Sequence, residues 1–147
     1  MIVVLDSGVA GALARAEPIP QFHTWLVGLI SPGRMVCLPE IVDYELRRAF
    51  LLERLTASIR ALDQLPEEGC EFVPLTSATM RRAAELWAEL RRVGQPTAAD
   101  HALDADCILA AQAQLRGEAD ARPVVVATTN AKHLSRMVDA KLWSEVT

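Results

Sequence analysis

The chain has 147 residues, 51% of them hydrophobic and 23% charged, with a net charge of −4. That length suits one domain with one core, so residues 1–147 read as a single unit, and the composition excludes a disordered chain. The charge excludes a general attraction to nucleic acid or to an anionic membrane, so an anionic substrate would have to be held locally.

The start, "MIVVLDSG", has no basic region and reaches Asp6 after four apolar residues, so no signal peptide is expected. "IVVL" is a short β-branched run that reads as a buried parallel strand. "GVAGALARAE" is predicted as a helix stopped by "PIP", and "QFHTWLVGLI" as a second helix closed by "SPG". "RMVCLP" is a second strand. A long helix is expected from Glu40 to about Gln64, ended by "PEEG". "CEFVPL" is a third strand. "TSATMRRAAELWAELRRVG" is a helix with a Thr/Ser start and a Gly stop. "QPTAADHAL" reads as a loop, followed by the helix "DADCILAAQAQLRG". "RPVVVATTN" is a fourth strand with its turn, "AKHLSRMV" a short helix, and "KLWSEV" a fifth, edge strand. Strands alternating with helices predict an α/β domain around a mostly parallel sheet of four to five strands. No apolar run approaches a membrane span.

The three cysteines, Cys37, Cys70 and Cys107, show no CxxC spacing, so neither a zinc site nor a disulfide framework is expected. Free thiols suit a reducing compartment, and a cytoplasmic protein is expected.

The acids carry the chemistry. In an open parallel sheet, sites form at the carboxyl ends of the strands. Asp6 follows "IVVL" directly, and Thr128 to Asn130 follow "VVVA". If those strands are neighbours, both ends face one crevice. The helix that starts near Asp104 packs antiparallel to the following strand, so Asp104 and Asp106 reach the same rim. Residues two apart lie about 200° apart around a helix, so one aspartate is expected to cap the helix and the other to face the crevice. Glu45 shares an apolar helical row with Val42, Ala49 and Leu52, where a lone carboxylate is costly unless a metal or another partner meets it. Glu40 and Asp43 are explained by a helix N-terminus after Pro39. Structural roles stay open for each: Asp6 as a helix cap, Glu45 as a partner of Arg48, Asn130 as a turn residue.

At these residues the sequence resembles the PIN domain, specifically the VapC-type toxins of toxin–antitoxin pairs. The pieces that carry the resemblance are "VVLDSGV", "PEIVDYELRRAF", "DADCILAAQAQ" and "VVVATTNAKHL", in that order and across essentially the whole chain. The resemblance implies a three-layer PIN-like fold and a metal-dependent ribonuclease that hydrolyses RNA phosphodiester bonds. It implies that Asp6, Glu45 and Asp106 form the acidic site, with Asn130 at the fourth position. Asp106 is preferred to Asp104 because the family's aspartate stands three residues before an "I-A-A" trio, whose Ile is Leu109 here. Ser7 and Thr128 match neighbouring polar positions. His133 and Leu134 depart from a common Asp-Phe pair in a flanking helix.

Carboxylates without a His/Cys set favour Mg²⁺ or Mn²⁺. The expected assignment has Asp6 and Asp106 binding the ion directly and Glu45 acting through water or orienting the nucleophile. Asn130 and Thr128 would hold a water or a phosphate oxygen, and Asp104 is a supporting polar group. The resemblance further implies a homodimer and a cognate antitoxin. Trp25, Leu26, Leu29 and Ile30, with Phe50, Leu51 and Leu55, are expected to form a groove for the antitoxin's amphipathic segment. Arg47, Arg48, Arg81, Arg82, Arg91 and Arg92, with Arg54 and Arg60, are candidate phosphate contacts. A haloacid-dehalogenase-type phosphatase would need an aspartate where Gly8 stands, and a response-regulator receiver a second acid where Ser7 stands. The remaining alternative is a catalytically inactive PIN-fold module that acts through RNA or protein contacts.

Overall fold

The computed structural model describes residues 1–94 and 100–147. Five strands form one parallel sheet in the order β3-β2-β1-β4-β5. They are β1 Ile2–Leu5, β2 Met35–Pro39, β3 Cys70–Val73, β4 Val124–Thr128 and β5 Ala140–Leu142. The described helices are α1 Ser7–Leu13, α2 Pro20–Ile30, α3 Glu40–Leu52, α4 Thr56–Gln64, α5 Ser77–Arg92 and α6 Asp100–Asp120. The α/β, three-layer expectation holds.

β1 is buried along its whole length, as its apolar run requires, and it pairs with β2 on one side and β4 on the other. The chain builds outward from β1 through β2 to β3 and then crosses to the far side of β1 for β4. Right-handed crossovers therefore place α1 to α4 on one face and α5 with α6 on the other. The point where the direction reverses lies between β1 and β4, where an open sheet leaves a crevice at the strands' carboxyl ends.

Local chemistry sets the helix starts. Asp6, with extended backbone, accepts the Ser7 N–H to begin α1. Thr76 accepts the Thr79 N–H at 3.1 Å to begin α5. α6 carries apolar residues on two faces because it is covered on two. Leu109 and Ala113 join the main core against the sheet. Cys107 and Ala111 pack with Ala83 and Leu103 beneath α5. The "ILAA" run is therefore needed on both faces of the helix.

Several boundaries differ from expectation; α1 ends already at Leu13, the expected helix "AKHLSRMV" is a single 3-10 turn at Leu134–Arg136, and two further differences bear on the site. The long helix from Glu40 to Gln64 is two helices. α3 ends in a Schellman turn in which Leu55 N–H reaches Phe50 O at 2.8 Å and Arg54 N–H reaches Leu51 O at 3.2 Å. Arg54 takes the left-handed position, φ 57°, that glycine usually fills, so the sequence carries no stop signal there. The other difference is at α6, which begins at Asp100 rather than Asp104. Asp104 and Asp106 lie inside the helix, so neither is its cap. The expected loop "QPTAADHAL" falls partly on residues 95–99, outside the described residues, and is helical from Asp100 onward.

The edge strand is shorter than expected. β5 spans only Ala140–Leu142, and Trp143–Glu145 form a 3-10 turn. No described helix is long and apolar enough to cross a membrane.

Candidate active site

Asp6 stands immediately after β1, and its position is held from two sides. The Ser7 N–H donates to Asp6 Oδ1 at 2.6 Å. The hydroxyl of Thr128, fully buried at the end of β4, donates to Asp6 Oδ2 at 2.5 Å. Thr128 Oγ1 also accepts the Asn130 N–H at 3.1 Å. The two strand ends are thus joined through one hydroxyl, as the neighbouring places of β1 and β4 in the sheet allow.

Glu45 and Asp106 reach the same crevice from opposite faces of the sheet. Glu45 lies on α3, which starts at the carboxyl end of β2, and Asp106 lies on α6. Burial raises the Glu45 carboxyl above its ordinary range, the negative charge of Asp6 raises it further, and so does Asp106; Arg48 alone works against them. Asp106 is pushed up to about 6, first by burial and then by Asp6. The three acids therefore share one field. Among the described residues none of the three takes part in a salt bridge. Their side chains do not close a cage of three or more metal-ligating groups, again among the described residues.

This donor set fits a hard divalent cation. It consists of half-buried carboxylate oxygens whose like charges, offset only in part by Arg48, act on one another. A cation would relieve that repulsion. Cysteine ligation does not fit, because burial first of all pushes Cys37 and Cys70 up to about 12 and Cys107 up to about 11.

The other sequence candidates divide. Ser7 sits beside Asp6, and its hydroxyl lies 3.3 Å from Asp6 Oδ1. Asn130 is exposed, and its side-chain oxygen accepts the Lys132 N–H at 3.2 Å, closing the turn after β4. That oxygen serves the turn and not the carboxylate cluster. Asp104 is exposed and borders an apolar hollow of about 390 Å³ with Trp87 and Cys107, on a different side of α6 from Asp106. The expected divergence of the two aspartates holds, although its cause is the helical turn angle and not a cap.

A family model for the PIN domain matches residues 3–139. The chain belongs to the PIN domain family. Solved structures agree on the fold of this PIN domain. VapBC2 from Rickettsia felis, bound to a DNA fragment from its promoter, aligns with a TM-score of 0.71 at 16% identity, over 97% of this chain and 99% of that one. VapBC-1 from nontypeable Haemophilus influenzae aligns with a TM-score of 0.69 at 20% identity, over 99% and 100%. FitAcB from Neisseria gonorrhoeae aligns with a TM-score of 0.68 at 21% identity, over 98% and 99%. No curated protein matches the sequence.

Several arginines of this PIN domain are already occupied. Arg47 bridges Asp43 at 2.9 Å and Asp63 at 2.6 Å. Arg82 binds Glu118 at 2.8 Å and Gln114 at 2.9 Å. Arg48, in contrast, is exposed; its guanidinium lies over the exposed Tyr44 ring at 5.1 Å, and its charge acts on Glu45.

The expected apolar groove is only half present. Leu26 and Leu29 are buried in the core. The chain's own C-terminal segment covers Phe22 and Trp25 of α2: Phe22 stacks on Trp143 at 4.1 Å, and Trp25 Nε1 donates to Val146 O at 2.7 Å. Leu51 and Leu55 are exposed, as are Tyr44 and Leu52, so an apolar ridge runs along α3 to its end.

One buried polar residue has no place in the sequence reading. Gln112 on α6 is 1% exposed. Its Oε1 accepts the Ile41 N–H at 3.2 Å, and its Nε2 donates to Val73 O at 2.7 Å. A polar residue inside the apolar "ILAAQAQL" run was the available signal.

Proposed function

We propose that this chain is a metal-dependent endoribonuclease, the toxin component of a toxin–antitoxin pair acting in the cytoplasm. The observation that carries the proposal is the shared field of Asp6, Glu45 and Asp106 at the β1/β4 crevice. Like charges gathered in a half-buried crevice are costly, and a fold keeps them where a cation uses them.

Asp6 and Asp106 would hold Mg²⁺ or Mn²⁺ directly, and Glu45 would act through water or orient the nucleophile. When bound, the ion supplies an activated water and neutralises charge on the phosphate. Thr128 keeps Asp6 aimed, and Ser7 supports it. The Asn130 amide NH₂ bonds no protein group among the described residues and suits a phosphate oxygen better than a cation, because it is a donor. Arg48 and Tyr44 sit beside Glu45 and supply a cation and a stacking face for RNA.

The relatives of similar fold include VapBC structures, and VapBC2 is described with promoter DNA. By that analogy this chain pairs with a cognate antitoxin; pairing with itself is proposed alongside it. The ridge of Tyr44, Leu51, Leu52 and Leu55 offers an amphipathic helix an apolar seat that leads to Glu45.

The test is cleavage of single-stranded RNA by the purified chain with Mg²⁺ or Mn²⁺, with and without excess chelator. Metal-dependent cleavage that Asp6→Asn abolishes is expected. Co-expression with a cognate antitoxin should suppress cleavage and give a larger complex in sedimentation. An inert chain that still binds RNA or the antitoxin, without carboxylate-dependent metal binding, would instead show a non-catalytic PIN module.

A further inference from the structure

The helix that carries Glu45 has no cap of its own. Pro39 occupies the N-cap position of α3 and makes no side-chain cap hydrogen bond. A proline cannot supply one, so the first N–H groups of α3 need partners from elsewhere. Two side chains distant in sequence close this junction. Gln112 Oε1, from α6, accepts the Ile41 N–H in the first turn of α3. Glu40 Oε1 accepts the Leu75 N–H at 2.7 Å and ties the same turn to the segment after β3. The second end of the Gln112 amide is anchored as well, on Val73 O at the end of β3. Gln112 is buried, and its two polar ends are both satisfied, so its rotamer is fixed.

The placement of this amide matters because of what the two helices carry. Ile41 is one helical turn before Glu45, and Gln112 is six residues after Asp106. The Gln112–Ile41 bond is a direct polar link between the Glu45 helix and the Asp106 helix. Core packing holds both helices on the sheet, but apolar contacts are non-directional and leave the sliding of one helix along the other less well specified. A bidentate buried amide is directional.

We infer that Gln112 is a positioning residue for the acidic site. It acts as a tertiary N-cap of α3 and sets the separation of Glu45 from Asp106, and through it the affinity for the divalent ion. The inference rests on the metal-dependent reading of the crevice.

The experiment compares the wild-type chain with Gln112→Met and Gln114→Met. Methionine keeps the length and apolar bulk of Gln112 but removes both hydrogen bonds. Gln114 lies on the same helix and bonds Met137 O and Arg82, away from α3, so it is the matched structural control. Mg²⁺ affinity is read by calorimetric titration. Gln112→Met is expected to weaken it by about tenfold or more, as the loss of an orienting group behind metal ligands does. Gln114→Met should leave it within about twofold. RNA turnover should follow the metal affinity, with KM for RNA at saturating Mg²⁺ unchanged.

The second readout needs no variant. Coupling between two sites is reciprocal, so if the Gln112–Ile41 bond favours metal binding, metal binding must favour that bond. Saturating Mg²⁺ should slow hydrogen exchange at the Ile41 amide of the wild-type chain more than at the Thr79 amide, which a local cap holds. An Ile41 amide indifferent to bound Mg²⁺, or Gln112→Met with unchanged Mg²⁺ affinity, would overturn the inference alone. A wild-type chain that neither binds Mg²⁺ nor cleaves RNA would overturn the metal reading and the inference with it.

Discussion

Thr128 donates its hydroxyl to Asp6 at 2.5 Å and so joins the carboxyl ends of two neighbouring strands, β4 and β1. The same oxygen accepts the Asn130 N–H, which binds the turn after β4 into the arrangement. One buried hydroxyl thus orients the first acid of the crevice and holds its opposite wall.

Thr128→Val tests that role. Valine matches the shape but leaves the Asn130 N–H without its partner and Asp6 Oδ2 without its donor. The expected loss of stability is about 1–3 kcal/mol, by denaturant titration. RNA cleavage should fall because Asp6 is then held from one side only, by the Ser7 N–H. Full activity with Thr128→Val would show that the backbone alone orients Asp6.

Asp6 has two duties that substitution can separate. Its carboxylate caps α1 through the Ser7 N–H and faces the other acids. Asn caps as well as Asp, so Asp6→Asn should melt within a few degrees of the wild type while losing cleavage. Asp6→Ala should lose cleavage and about 1 kcal/mol of stability as well. Equal melting of the two variants would mean that the cap contributes little.

The raised Asp106 carboxyl gives a pH signature. Its value of about 6 in the folded chain stands above the ordinary aspartate range, chiefly through burial and then through Asp6. The folded state therefore holds this proton more tightly than the unfolded state does. Its contribution to stability is fully present below pH ~4, declines as pH rises toward 6, and is lost above that. Because Asp106 is only partly buried and solvent screens it, the size is on the order of 1–2 kcal/mol. Asp106→Asn should accordingly raise the melting temperature at pH 8 and abolish metal-dependent cleavage. Mg²⁺ should stabilise the wild type at pH 8 and do so only weakly at pH 5, where Asp106 is protonated. Thermal melts across that range, with and without Mg²⁺, are the measurement.

Asp104 behaves differently. It is exposed within α6 and caps nothing. Asp104→Ala should change stability by no more than about 0.5 kcal/mol, since alanine is the better helix former there. Cleavage should persist. A large loss of activity would place Asp104 in the site beside Asp106.

Much of the site was legible because its parts obey local rules. The β-branched run "IVVL" and the polar "DSG" after it place an acid at a strand's carboxyl end whatever the remaining chain does. Two aspartates two residues apart must diverge on any helix, so only one could face the crevice. The alternation of strands and helices was enough for a parallel α/β sheet. Tertiary structure decided the rest. That β4 lies beside β1, and so Thr128 beside Asp6, depends on which strand pairings bury both faces of the sheet, and no local pattern encodes this. The break after α3 uses Arg54 in a conformation reserved by habit for glycine, at a cost that only its surroundings offset. The start of α6 at Asp100 was hidden because "DHAL" has no periodicity strong enough to extend the helix by itself. The α2 face that looked free is covered by Trp143 and Val146, more than a hundred residues away. Gln112 shows the limit most clearly: sequence reveals a polar residue in an apolar helix, but its two partners, Ile41 N–H and Val73 O, are backbone groups that only the folded chain brings within reach.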